Sequence, residues 1–453
     1  MSQDTSLRKR VEKSGAVFVG GFALRQAIRL GSNLILTRLL VPEAFGVMAA
    51  AISINILASQ VSDIGVESSI IRSKHSDDPR YVRTAWTIRG LRNLFMYFLV
   101  LITAGGIALF SHLGRVPQES VFNDPVLPWI MLAVGSQFLI QTAGSINRSM
   151  AERKLQAGRV VVFELSSQIV MFIVTVSFAF SGFGVWSLVI GTLAGSLFSA
   201  VSSYYFFPGP AMGIQWDQAF VVEIFNFGKW LLLASFCGFL INRGDQLIFA
   251  WAFESREFGL YAVATIWIIA AVTVCETVMR RAFYPAYSEL IRERRDRLAS
   301  AYQKSRLIFD AGAAFVAFGV FFFSDFAISL VYPEEFWGVS YYMKLLSPMI
   351  MLVPYKLLGE IVIADGHTRY FSFITLVNGL AILIGTPLVM MAFGISAGVV
   401  FFACIRVASA PVAYIGARRS MPVSIMGELR ILVPTAILLA LLVASTGQGP
   451  AGG

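Results

Sequence analysis

Four arginines stand where a polypeptide rarely places charge. Arg25 and Arg29 lie inside "FALRQAIRLGSN" (residues 22–33), a stretch otherwise built from Ala, Leu, Ile, Phe and Gly, and Arg243 and Arg406 sit comparably deep in later apolar runs. A spacing of four puts Arg25 and Arg29 on one helical face. For a helix starting near Gly15, Arg25 is ten residues in, about 15 Å at ~1.5 Å per residue. A charge at that depth in lipid costs at least ~2.5 kcal/mol, so it must face a cavity or a partner. Guanidinium forks match phosphate and carboxylate oxygens two at a time, so the chemistry on offer is anion binding. The alternative is ion pairing. Asp63 and Glu67, at i and i+4 on the second helix, could neutralise the first pair, and Asp245 stands beside Arg243, whereas Arg406 has no acidic neighbour in sequence. The remaining acids in or near apolar runs are Glu164, Glu276, Asp310 and Glu360. Each could bind a proton or Na⁺, although solvation at a span end, or for Glu164 the dipole at a helix start, is the ordinary explanation.

The elements that carry these side chains follow from composition. The chain has 453 residues, 57% hydrophobic and only 14% charged, with 38 Phe and a mean hydropathy of +0.71. A soluble domain is nearer a quarter charged, so lipid is the expected surroundings. Apolar runs of the length that crosses a ~30 Å hydrocarbon core recur at 15–37, 44–70, 86–111, 126–150, 160–180, 184–207, 222–251, 258–283, 307–331, 340–363, 370–392 and 396–416, with a shorter one at 429–446. Runs this long are helices, because the backbone finds no water there. With the N-terminus inside, alternate loops on the cytoplasmic side collect 24 Lys and Arg and the other side collects 3, namely Arg38, Arg115 and Arg256. This bias orients the chain with its N-terminus in the cytoplasm, and it accounts for most of the net charge of +9 without a nucleic-acid partner. The first run is too long, and too basic within, for a cleavable signal peptide.

Other chemistries find little support. Cys237, Cys275 and Cys404 are isolated in apolar runs, as small buried hydrophobes are, and His75, His112 and His367 are far apart, so no metal site is expected. There is no Ser/His/Asp grouping and no P-loop, so no enzyme and no cofactor is expected beyond a coupling ion, H⁺ or Na⁺.

The chain repeats itself. "LILTRLLVPEAFGVMAAAISI" (34–54) aligns with "LIFAWAFESREFGLYAVATIW" (247–267) at an offset of 213, which sets Phe45-Gly46 on Phe258-Gly259, Asn33 on Gln246 and Asp63 on Glu276. "GVWSLV" (184–189) matches "GISAGV" (394–399) at an offset of 210. Six spans per half give both halves the same orientation, a recurrent transporter plan. The expected fold is all-α and membrane-integral: a six-helix lobe at 1–208, a cytoplasmic linker at 209–217, a second six-helix lobe at 218–418, and an interfacial segment with an extra helix at 419–453.

"TRLLVPEAFGVMAAAISI", "DIGVESSIIR", "ERKLQAGRVVVFEL" and "SGFGVWSLVIG" together resemble the Wzx-type polysaccharide flippases, exporters of O-antigen, colanic-acid and exopolysaccharide units in the superfamily of multidrug exporters and the lipid II flippase. The resemblance runs over roughly residues 10 to 420. It implies two lobes around a cavity that faces cytoplasm and periplasm in turn, in the bacterial inner membrane, and a cargo of undecaprenyl-diphosphate-linked oligosaccharide. On that reading Arg25, Arg29, Asn33, Arg243 and Arg406 line the cavity and hold the diphosphate, while Asp63, Glu67, Glu164, Asp245, Glu276 and Asp310 serve as coupling or ion-pair acids. The implied partners are the cargo, membrane lipids, and a polysaccharide polymerase with its chain-length machinery, the chain itself being a monomer. Two rivals stand beside this: a multidrug exporter on the same fold, whose cationic drugs would want an acidic cavity, and a membrane polysaccharide polymerase, which would need a larger extramembrane loop.

Overall fold

The computed structural model describes the backbone of residues 2–279 and 283–446, with the side chains of 2–16, 18–19, 229–231, 233–234, 237, 242, 278, 368 and 445–446 outside the description. Trp230, Cys237, the basic positions Arg8, Lys9, Arg10, Lys13, Arg280 and Arg281, and the segment "GQGPAGG" therefore lie outside the described residues. Among the described residues every regular element is helical. The first are α1 (Ser2–Leu36), α2 (Pro42–Val61), α3 (Val66–Arg72), α4 (Pro79–His112), α5 (Leu127–Thr142), α6 (Asn147–Arg153), α7 (Ala157–Phe180) and α8 (Val185–Phe206). There follow α9 (Gln218–Ala252), α10 (Ser255–Val278), α11 (Tyr284–Glu293), α12 (Leu298–Val331), α13 (Val339–Met351) and α14 (Lys356–Ala364). The last are α15 (Thr368–Leu380), α16 (Thr386–Phe393), α17 (Ile395–Ala403), α18 (Arg406–Ala417), α19 (Ile425–Leu429) and α20 (Leu432–Thr446).

Among the described residues each predicted span falls on a helix or on a broken pair of helices. Ten helices among the described residues are long and apolar enough to cross a membrane, eleven if α5 and α6, bent by 72°, count as one. The chain is a multi-pass membrane protein. α1 differs from its sequence reading: it runs unbroken from Ser2, 35 residues, or about 52 Å at ~1.5 Å each. That exceeds a ~30 Å core, so the helix continues beyond the apolar stretch, and depth is counted from where that stretch begins. The second span also differs. α2 stops at Val61 because Gly65 takes a left-handed φ of 60°, which only a residue without Cβ adopts freely, and Asp63 caps the turn by accepting the Gly65 N–H at 3.0 Å.

By compactness the chain divides into a unit of Met1–Phe239 with Phe249–Gly259 and a unit of Leu240–Ile248 with Leu260–Gly453. Lipid tails are as apolar as Leu, so packing within each unit rests on close fit and on polar ties rather than on expelling water. In the first unit Gly191 and Gly195 of "GTLAG" turn α8 against Thr175 and Met171 of α7, where a Cβ on either would collide. Arg89 and Arg92 of α4 reach the C-terminal carbonyls of two neighbours. Arg92 donates to Ser59 O at 3.0 Å in the last turn of α2 and to Ser62 O at 2.9 Å just after it, and Arg89 to Gln141 O at 3.3 Å in the last turn of α5 and to Gly144 O just after it. These carbonyls lack intrahelical partners and carry the negative end of the helix dipole, so a cation meets both needs.

The repeat becomes a contact in this same unit. A Cβ on Gly46 of α2 would stand 3.0 Å from the Gly259 nitrogen and run into the Ser255 carbonyl, and a Cβ on Gly259 would stand 3.1 Å from the Gly46 nitrogen and run into the Pro42 carbonyl. Residues 42 and 46 meet 255 and 259, the offset of 213 applied to each. Gly46→Ala should therefore cost about 1–3 kcal/mol as an overpacked contact. Gly105→Ala in α4, where a Cβ meets nothing within 4 Å, should be neutral or stabilising. Thermal unfolding of the purified protein in detergent compares the two. Equal effects would remove the close approach as the cause.

In the second unit α13 is the buried helix, with Val339, Leu345, Leu346, Ile350 and Met351 all at or near zero exposure, packed on α12, α17 and α20. The span predicted at 396–416 breaks between α17 and α18, where the N–H groups of Ile405, Val407 and Ala408 bond three residues back instead of four. A tightened turn inside a span marks a place where a side chain is redirected, and Arg406 sits on it.

Candidate functional site

The first unit gathers a chain of charges around Glu164. This residue lies in the second turn of α7, and its two carboxylate oxygens are divided: Oε2 pairs with Arg25 of α1, and Oε1 with Arg148 of α6 at 2.5 Å. Arg148 also holds Glu152, one turn further on α6, at 2.9 Å, and its guanidinium lies over the Phe163 ring at 5.9 Å. One turn along α7, the Gln168 amide donates to the Arg25 carbonyl at 3.1 Å, so α1 is fixed to α7 by side chain and backbone together. Arg29, one turn beyond Arg25, is exposed on the unit, and Asn33 a turn later is buried.

The second unit contains a cavity of about 550 Å³ lined by Asp245, Glu276, Lys356, Glu360, Asn378 and Arg406 among apolar side chains of α10, α13, α15 and α17. Arg406 spans two partners. Its Nη2 is 3.2 Å from Glu276 Oε1, and its Nη1 donates to the Met349 carbonyl at 2.8 Å, in the last turn of α13 where that carbonyl has lost its helical partner. Lys356 pairs with the same Glu276 oxygen. Asp245, 2% exposed, accepts from the Tyr261 hydroxyl at 2.6 Å and from the Gln246 amide at 3.1 Å. Its hydrogen-bond donors are thus neutral groups, and Arg243, half-buried, lies two residues earlier on α9.

A third cluster lies behind Tyr355, which lines that cavity on one side and packs against Arg306 on the other. Arg306 of α12, 1% exposed, contacts Asp310 at 2.9 Å and Glu428 of α19 at 3.3 Å, donates to the Pro354 carbonyl at 2.7 Å and covers the Tyr355 ring at 4.5 Å. Tyr302 donates to Glu428 at 2.5 Å.

The structure thus joins Arg25 to Glu164 and Arg406 to Glu276, and places Asp310 elsewhere. Asp63 and Glu67 do not share a helical face, because the break at Gly65 leaves Asp63 in a turn and Glu67 in the first turn of α3. Asp63 there accepts from Ser235 at 2.8 Å and stands 3.8 Å from Arg92. Arg148, read from sequence only as one of the loop cations, is the residue that reasoning missed. The available signal was "RSMAE", an Arg–Glu pair at i, i+4 directly before the amphipathic start of α7. Among the described residues no three His, Cys, Asp or Glu are grouped as metal ligands would be.

Comparison with known proteins bears on both units. Residues 35–340 match the family described as Polysaccharide biosynthesis protein. The chain is similar to the succinoglycan biosynthesis transport protein ExoT of Rhizobium meliloti (strain 1021), 20% identical over 71% of this chain and 64% of that protein. It is similar to the lipopolysaccharide biosynthesis protein WzxC of Escherichia coli (strain K12), 23% identical over 59% of this chain and 53% of that one. The matches thus span under two thirds of either relative's length. Among solved structures, the lipid II flippase MurJ in an inward closed conformation superposes with a TM-score of 0.68 at 12% identity, covering 97% of this chain and 94% of that one. An inward-facing multidrug resistance MATE transporter of the MOP superfamily does so at 0.63 and 14% identity, covering 91% and 96%. At these identities the structural likeness establishes the fold.

Proposed function

This chain belongs to the polysaccharide biosynthesis protein family, and from that premise we propose that it moves undecaprenyl-diphosphate-linked oligosaccharide units from the cytoplasmic to the periplasmic leaflet by alternating access, for surface polysaccharide or exopolysaccharide synthesis. The observation that carries the proposal is the guanidinium set on apolar helices of a transporter fold: Arg25 and Arg29 on α1, with Arg148 beside them. Such a set suits a phosphate-bearing cargo and repels the cationic compounds of a multidrug exporter. Arg243, Arg406 and Asn33 are further contacts on this reading. The two halves, split near 209–217, move against each other, and the loop charges set the N-terminus in the cytoplasm of a bacterial inner membrane. The chain works as a monomer and as a transporter rather than an enzyme, handing its cargo to a polymerase and its chain-length machinery.

The cavity of the second unit supports the coupling part of the proposal. Its three carboxylates, Asp245, Glu276 and Glu360, outnumber its two cations, Lys356 and Arg406, so a proton or Na⁺ balances it. Asp63, Glu67, Glu164 and Asp310, each already engaged or placed elsewhere, act as ion-pair acids.

The test is reconstitution. Purified protein in liposomes carrying a fluorescent undecaprenyl-diphosphate oligosaccharide should make inner-leaflet label reachable by an external quencher, at a rate well above protein-free vesicles. Rates equal to protein-free vesicles, with the protein inserted, would refute the function.

A further inference from the structure

The division of Glu164 between two guanidiniums has a meaning beyond holding α1 to α7. We propose that the Glu164 carboxylate is a placeholder for one phosphate of the cargo, and that Arg148 is a further cargo-contacting residue. The inference rests on the flippase reading above. One oxygen for Arg25 and one for Arg148 is the footprint that two oxygens of a phosphate present. The charges agree in direction: withdrawing Glu164 leaves Arg25 and Arg148 with Glu152 as their other acid, an excess of positive charge that draws an anion to the vacated place. Arg148 reaches the position from α6 and, at 41% side-chain exposure against 31% for Arg25, is the more open of the two, whereas Arg25 and Arg29 continue the ladder along α1. A cargo phosphate entering there meets Arg148 first, displaces Glu164 from it, and then takes Arg25. The displaced carboxylate competes for both guanidiniums throughout, which keeps the site exchangeable, as a carrier that must release its cargo requires.

Binding of inorganic pyrophosphate to the full chain in detergent, by titration calorimetry, tests this. Glu164→Gln should tighten pyrophosphate binding about tenfold or more, since the competitor is gone. Arg148→Gln should weaken it in either background. Glu152→Gln removes the same charge from Arg148 but leaves Arg25 engaged, so it should tighten binding far less. Equal tightening by Glu152→Gln and Glu164→Gln would reduce the effect to net charge and overturn the placeholder. No tightening in a folded Glu164→Gln protein, judged by its unfolding midpoint, would overturn it as well. Should that variant unfold, Glu164→Asp, which draws the carboxylate back by one methylene, must tighten binding in the same direction, and unchanged affinity refutes the proposal. Tighter binding of pyrophosphate than of orthophosphate in the Glu164→Gln protein supports a diphosphate. Equal affinity for both assigns the site to a single phosphate, as on a phospholipid head group, and overturns the cargo assignment. If wild type still flips the lipid-linked cargo while Glu164→Gln gains nothing, the placeholder fails alone. If wild type neither binds pyrophosphate nor flips the cargo, both readings fail.

Discussion

Cells in which Arg25 and Arg29 are both replaced by Gln should stop exporting polymer, with the variant present in the membrane at wild-type levels and lipid-linked repeat units accumulating on the cytoplasmic face. Hydrogen bonds to a charged group contribute about 1.5–3 kcal/mol each, so losing two implies a hundredfold or greater loss of cargo affinity. The change also lowers the cost of inserting α1, because two charges leave the apolar stretch, so poor insertion does not explain a null result. Glu164 keeps Arg148 in the variant, which spares that carboxylate from standing uncompensated. Lys at both positions keeps the charge but not the planar fork, and should retain part of the export. Normal export from a well-inserted double Gln variant would make the pair structural.

Arg306→Leu should be the most destabilising single change in the second unit, by about 3–5 kcal/mol. Arg306 is 1% exposed and is the cation shared by Asp310 and Glu428. Removing it leaves two carboxylates buried against each other and deprives the Pro354 carbonyl of its donor. Glu428→Gln should cost less, since Tyr302 can still donate to the amide oxygen and Arg306 keeps Asp310. Because Glu428 belongs to α19, Arg306→Leu should also expose the segment that follows α18 to protease. Unfolding in detergent, read against wild type, gives the magnitude. A loss below about 1 kcal/mol would show that the cluster contributes little beyond replacing hydration, as buried ion pairs sometimes do.

Much of this architecture is written in the pattern of apolar runs, because a helix in lipid must satisfy its backbone internally and so must be long, apolar and bounded. The runs at 160–180 and 184–207 reappear almost residue for residue as α7 and α8. The run at 44–70 was read straight through Gly65, so the acids on either side of it were assigned to one helix. The charge partners were harder. Arg25 and Glu164 are 139 residues apart, and Arg406 and Glu276 are 130 apart. Local spacing carries no information at such distances. Acids of the second run were therefore proposed for Arg25 and none for Arg406, and the structure pairs both with remote ones. Arg89 and Arg92, at the start of the third run, read from sequence as part of the cytoplasmic belt of basic residues, and their partners were hidden for another reason. Their partners are carbonyl oxygens at helix ends, which every residue possesses and none advertises.

A duplicated sequence is free to let its two copies drift apart wherever each copy looks out on surroundings of its own. It has less freedom where one copy is the surroundings of the other. Gly46 lies in the slot formed by residues 255 and 259, and Gly259 lies in the slot formed by residues 42 and 46. A methyl group added to either closes one and the same gap. The two positions, 213 residues apart in the chain, are physically a single site with two addresses, and neither can be enlarged on the strength of the other remaining small.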